Sequence, residues 1–231
     1  MYLTRLFLNS GSLTVQADVR DPARLHRIVM LAFPDNAGES PRLAHHILHR
    51  IDREQGGRLV LLVQSSTKPL TERWPTTHVL DVGSDTDMAF SAVGENPAVR
   101  SIATKQASIS SGDSFRFRLC ANTTRKIDTK TAIDGKKRNG RRVPVRGDEA
   151  RLAWLARRAV EAGFTFDQDT VRITEVASAG GRGNSPVTLA GAVFEGLLVV
   201  QDAHQFRVAL QTGIGPGKAY GFGLLSIRRA P

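Results

Sequence analysis

The 231-residue sequence has one cysteine, Cys120, so no disulfide can close within the chain and a reducing compartment suits it. Long apolar runs are missing. None approaches the roughly 18–20 residues needed to span a bilayer. The opening residues lack a basic region followed by an apolar stretch, so no secretory leader is expected. No amphipathic basic helix carries the large aromatic face of a membrane-surface anchor. A cytoplasmic protein without membrane contact is the expectation. Acidic residues are also short, 22 against 32 lysines and arginines. No compact Asp/Glu cluster of the two-metal nuclease kind is visible. The segment Gly213 to Ser226, GIGPGKAYGFGLLS, lacks the Walker A pattern, since Thr212 and Ala219 stand where Gly and Ser or Thr are needed.

What is present is uneven. Apolar residues make up 41% of the chain, enough for a core. Residues 1–110 carry 12 basic and 11 acidic side chains, whereas residues 111–231 carry 20 and 11. Basic charge gathered in one half points to a polyanion there. Nine basic and two acidic residues fall between Arg125 and Arg146. Asp134-Gly135 and Asn139-Gly140 are turn signals, so this stretch reads as a charged hairpin or loop for nucleic acid. The glycine-rich segment, with Lys218, is either a phosphate cradle or a tightly packed turn.

The order of elements is readable. Tyr2 to Leu8 is a strand. Asp21 caps and Pro22 opens a helix whose stripe is Leu25, Ile28, Val29 and Ala32; Pro34 ends it. His26 lies beside that stripe. Ser40 to Ile51 fits either a helix or the first arm of a hairpin turning at Gln55-Gly56-Gly57 into Leu59 to Val63. A helical His45/His49 pair is the only metal-like spacing, and no carboxylate or cysteine completes it. Thr67 to Asn96 reads as loop, and Arg100 to Gln106 as a strand. A boundary falls near Ser110 to Asp113. Phe115 to Ala121 alternates, with Arg116 and Arg118 on the polar face. Asp148 to Ala162 is a helix with stripe Leu152, Leu155, Ala156, Ala159 and Val160, placing Arg151, Arg157 and Arg158 toward solvent. Strands follow at Val171 to Val176 and Val187 to Val200, around a glycine-rich turn at Ala179 to Ser185. A helix at Ala203 to Gln211 leads into the glycine-rich segment.

Four stretches together resemble one family: MYLTRLFLNS with His26, FRFRLCANTTRKI from Phe115, EARLAWLARR from Glu149, and the glycine-rich segment. They are similar, in the same order, to the CasE family, the endoribonuclease subunit of the E-subtype Cascade complex. The resemblance implies an α+β chain of tandem ferredoxin-like (βαββαβ) units with antiparallel sheets and a C-terminal glycine-rich loop, divided at 1–110 and 111–231. It implies metal-independent cleavage of precursor CRISPR RNA on the 3′ side of the repeat stem-loop, by the RNA's own 2′-hydroxyl, with no cofactor. His26 matches the family's catalytic histidine, and Arg27 is assigned as charge stabiliser. Ala23, Leu31 and Pro34 depart from the tyrosine, lysine and serine of some members. RNA contact is expected from Arg116, Arg118, Arg125, Lys126, Lys137, Arg138, Arg141, Arg142, Arg157, Arg158 and Lys218. Expected partners are the CRISPR repeat hairpin, the mature crRNA and other Cascade subunits. Two competing classes are a non-catalytic repeat-binding subunit and, more weakly, a nucleotide-phosphate enzyme built on the glycine-rich loop.

Overall fold

A computed structural model describes residues 1–34, 38, 40–81, 95–127, 141–176 and 189–230. The first sheet has the order β2-β3-β1-β4, antiparallel throughout: β1 is Tyr2–Phe7, β2 Leu48–Arg53, β3 Leu59–Ser65 and β4 Ala98–Ser101. Before β2, the chain forms helices α1 (Leu13–Arg20), α2 (Pro22–Leu31) and the single-turn α3 (Pro41–Ala44). Asp21 caps α2 through the Ala23 and Arg24 N–H groups, as its sequence position implies. Helix α1, between the expected first strand and the Asp21 cap, is an addition to the elements expected from the sequence. Ser12 caps it, and buried Asp18 ties it to α2 by an ion pair with Arg24 and to the later turn at Thr76–His78 by a hydrogen bond with His78 Nε2.

Ser40 to Ile51 resolves in favour of both readings in succession. One helical turn at Pro41 is followed by the hairpin arm β2, which turns at Gln55–Gly57. Between β3 and β4, the described residues form two short 3-10 turns, Thr71–Arg73 and Thr76–His78, pinned by the buried Trp74 and His78. The expected strand at Arg100 to Gln106 is corrected. The strand is Ala98–Ser101, and helix α4 (Ala103–Ala107) follows it. Polar Thr104, Lys105 and Gln106 hold a single helical turn better than an edge strand facing the other half of the molecule.

The second sheet repeats the order. Strand β11 (Leu225–Arg229) pairs β5 (Ser114–Asn122), which pairs β10 (Gly191–Val200), which pairs both β8 (Phe164–Phe166) and β9 (Arg172–Val176). Helices α5 (Asp148–Glu161) and α6 (Ala203–Thr212) cover one face. Both halves thus share the ferredoxin-like strand order, and the chain is a tandem ferredoxin-like α+β protein. Between β5 and α5 sits a separate hairpin, β6 (Thr124–Ile127) with β7 (Arg141–Pro144). The Ala179 to Ser185 turn lies outside the described residues, and β10 begins at Gly191, later than expected. No described helix is long and apolar enough to cross a membrane.

The reading of α5 needs correction. Its buried residues are Arg151, Trp154, Leu155 and Ala159, while Val160 is 73% exposed. The inward face is rotated because Trp154 has more apolar surface to bury than Val160. Trp154 stacks on Phe194 and donates its indole N–H to the Thr124 carbonyl, which roots the hairpin on the helix. Arg151 follows it inward and pairs with Glu175 and Asp148.

The two sheets meet at Arg50 on β2, whose side chain is 3% exposed. Its Nε and Nη2 donate to the two Asp52 carboxylate oxygens; Nη1 donates to the Arg118 and Leu224 carbonyls, and Nη2 also to Ser226 Oγ. All five N–H donors are used, three of them on the other half of the chain. Gln64 adds a second tie, donating to the Leu210 carbonyl at the end of α6. Replacing Arg50 by Met leaves Asp52 and two buried carbonyls short of donors. Arg50→Met is expected to cost about 3–5 kcal/mol, the scale for breaking a buried pair, measured as the shift in urea unfolding. A cost under 1 kcal/mol would mean that the seam rests on apolar packing instead.

Candidate RNA-processing site

The glycine-rich loop closes over the first half at this seam. Gly213 and Gly215 carry φ of +78° and +79°, backbone that side chains rarely adopt. A Cβ at Gly213 would stand 2.8 Å from Leu48 on β2, and one at Gly215 would stand 3.0 Å from the Trp154 ring. The packed-turn reading therefore describes these glycines. The 3-10 turn Lys218–Tyr220 inside the loop rests against α2 and β2.

His26 lies on α2 beneath that turn. It is half-buried, and its Nδ1 is sealed without a hydrogen-bond partner. Burial, followed by the positive charge of Arg42, pushes its pKa below the usual 6.5. His49 on β2 stacks against it, ring centroids 6.0 Å apart and 21° from parallel. His49 is wholly buried, and neither ring nitrogen has a partner. Burial, then His26 and Arg42, lowers its pKa to about 3. It is therefore a neutral floor under His26. A Cβ on Gly221 would come 3.8 Å from its Nε2, so the loop backbone forms the lid on its other side.

Cations surround the pair. Lys218 is half-buried, and its pKa is lowered by burial, then by Arg42 and Arg158. Arg42, on α3, is held by the Ile47 carbonyl at 3.4 Å. Arg158, on α5, lies over the Trp154 ring at 5.6 Å and pairs with Glu161. Arg42 thus brings positive charge to His26, and Arg42 and Arg158 in turn bear on Lys218 of the loop, an arrangement that can receive a phosphate and move a proton beside it.

The other expected residues divide. Arg27 is exposed on α2 next to His26 in sequence, and Arg42 rather than Arg27 acts electrostatically on the histidine. Arg157 is exposed on α5; Arg125, Lys126 and Arg142 are exposed on the β6–β7 hairpin, whose root is tied to α5. Lys137 and Arg138 lie outside the described residues, as does the Arg141 side chain. Arg116 and Arg118 do not join the site. Arg118 bonds to Asp52 and Glu195 on the face of β2 opposite His49, and Arg116 shares its side of the sheet. His45 is drawn off by Thr67, at 2.8 Å, so no His45/His49 pair exists. Sequence reasoning missed Arg42 and His49 as site residues. Their only signal was proximity in sequence to the hairpin.

Comparison with known proteins decides the family. A model of CRISPR associated proteins matches residues 1–229. The chain belongs to that family. It is 30% identical to the CRISPR-associated endoribonuclease Cse3 of Thermus thermophilus, over 98% of this chain and 99% of that one. It is 28% identical to the CRISPR system Cascade subunit CasE of Escherichia coli K12, over 98% of each. Among solved structures, Thermus thermophilus Cse3 bound to an RNA representing a pre-cleavage complex aligns with a TM-score of 0.73 at 27% identity, covering 100% of this chain and 98% of that one. Cas6e of Escherichia coli K-12 shares the fold, with a TM-score of 0.68 at 21% identity over the whole of both chains.

The buried floor makes stability depend on pH in a set direction. His49 is neutral when folded down to about pH 3, whereas the unfolded histidine takes a proton near 6.5. The unfolded state thus binds more protons in that window, and stability falls as pH drops through it, by up to ~1.4 kcal/mol per pH unit. Urea unfolding at pH 6.5, 5.5 and 4.5 is expected to show His49→Phe with a shallower loss than the parent. Parallel losses would show that His49 is not buried neutral.

Proposed function

We propose that this CasE-family chain is the endoribonuclease that processes precursor CRISPR RNA and keeps the mature guide within a Cascade surveillance complex. The observation that carries the reading is the position of His26: half-buried on neutral His49, on a helix that the glycine-rich loop rests against, with Arg42 acting both on it and on Lys218 of that loop. The first half, residues 1–110, supplies the histidine. The second, 111–231, supplies most of the charge, a division supported by sheets built from residues 2–101 and 114–229.

The repeat stem lies along the exposed cations of the hairpin and α5, Arg125, Lys126, Arg142 and Arg157, and Lys137, Arg138 and Arg141 are expected to contact it as well. Such contacts read phosphates and shape, because the A-form major groove is too deep and narrow for side chains. The strand 3′ of the stem enters under the glycine-rich loop. There the RNA 2′-hydroxyl oxygen bonds to the adjacent phosphorus as the bond from phosphorus to the 5′-oxygen breaks. The products are a 2′,3′-cyclic phosphate and a 5′-hydroxyl, the leaving 5′-oxygen taking its proton from solvent water. His26, neutral at pH 7 because of its lowered pKa, takes the 2′-hydroxyl proton as general base. Lys218 and Arg42 offset charge on the phosphorane-like oxygens, with Arg27 a further cation at the rim. They supply what a lysine on the helix supplies in some relatives, where this chain has Leu31.

The step needs no metal, so cleavage of the cognate repeat should persist in EDTA. His26→Ala should slow cleavage about 100-fold or more while repeat affinity stays within about twofold, the split expected when a proton carrier is removed. Cleavage at the parent rate would remove His26 from the mechanism. Binding without cleavage by the parent would make the chain a repeat-binding subunit only.

A further inference from the structure

The second sheet has a face that neither its helices nor the RNA site uses. Helices α5 and α6 pack on the side of Phe115, Phe117, Leu119 and Phe194. On the other side, cross-strand register sets side chains in rows. One row runs Ser226, Arg118, Glu195 and Arg172. Its central charges are matched, because Arg118 bonds to Glu195 and to Asp52. The neighbouring row runs Arg228, Arg116 and Leu197. Here two arginines stand directly opposite one another. Both are exposed, and neither has an acidic partner among the described residues.

Like charges directly opposite on antiparallel strands are destabilising, so this row is one the isolated fold does not need. Beside it, Leu197 is 40% and Val199 37% exposed. A hollow of about 400 Å³ separates Arg116 from exposed Arg172, floored by Gly196 and Leu197 and edged by Thr170 and Glu195. The face is thus cationic, partly apolar and concave.

We propose that the Arg228–Arg116–Leu197 row is a docking surface for an acidic protein segment that also presents apolar side chains. The inference rests on the reading of this chain as a subunit of a larger complex. Two observations favour protein over RNA. No outward residue of the described strands on this face is aromatic, whereas single-stranded RNA is held by stacking its bases on aromatic rings. The face also lies across the sheet from α5 and across β2 from His49, so a stem gripped by the hairpin and α5 does not reach it. Arginines next to exposed aliphatic side chains are a common interface composition.

The test uses Arg116→Glu/Arg228→Glu and Arg116→Gln/Arg228→Gln, each co-expressed with the other Cascade subunits and a guide RNA. Native mass spectrometry reads the fraction of complex that contains this chain. Repeat binding and cleavage are measured on the isolated chain. Incorporation should fall at least about tenfold for the Glu pair and less for the Gln pair, with repeat affinity and cleavage within about twofold of the parent. The Gln pair relieves like-charge repulsion and should melt no lower than the parent; if the Glu pair fails to fold, the Gln pair decides. Undiminished incorporation of the Gln pair with a folded Glu pair also incorporated would overturn the proposal. So would a tenfold loss of repeat affinity with a flatter salt dependence, which would assign the row to RNA. A variant that is excluded from the complex yet cleaves normally separates this surface from the His26 chemistry.

Discussion

The Arg50 guanidinium sits between two sheets with every N–H bonded, and the geometry of the site follows from that placement. A buried cation is tolerated only where its charge and all its donors are met. Asp52 meets the charge from the same strand, while Arg118, Leu224 and Ser226 meet donors from the other half. Only one relative position of the sheets satisfies all of them. Leu224 and Ser226 are at the end of the glycine-rich segment, so the same bonds fix where that segment lands on β2 and α2.

The chemistry of His26 derives from this closure. An exposed helix histidine would titrate near its ordinary value and be partly charged at neutral pH. Under the loop and on the His49 ring its pKa is lowered by burial and by Arg42, and Arg42 and Lys218 are the cations of the proposed phosphate site. Arg50 and His49 are neighbours on β2 and point to opposite faces, one locking the halves and the other forming the floor of the site. One strand therefore links assembly of the two halves to the proposed site.

Much of this was legible in the sequence where the signal is local. The Asp21-Pro22 cap, the alternation of Phe115 to Ala121 and the turn at Gln55 to Gly57 are rules acting over a few residues, and each produced the element it implied. The four family-like stretches supplied what periodicity could not: the tandem arrangement and the significance of His26. What stayed hidden depends on pairing across long separations. Arg151 looked solvent-facing because its partner Glu175 lies on another strand. Arg118, expected as an RNA contact, is ion-paired to Asp52, 66 residues earlier, which no local pattern announces. Arg42 and His49 carry no motif; their roles appear only when α3, β2 and the glycine-rich loop are brought together. The charged segment, read as a hairpin or loop, has its described ends paired as β6 and β7, and residues 128–140 lie outside the described part.

The central claim is that closure of the seam sets the protonation of His26, the proposed proton carrier. Following the His26 ring protons by NMR across pH, in the parent and in Arg50→Met, tests it directly. The parent His26 should titrate below the usual 6.5, and the variant, with the loop released, should titrate closer to it. Identical titration in a variant that is folded but loosened at the seam would show that the histidine owes its state to α2 alone, and the account would fail.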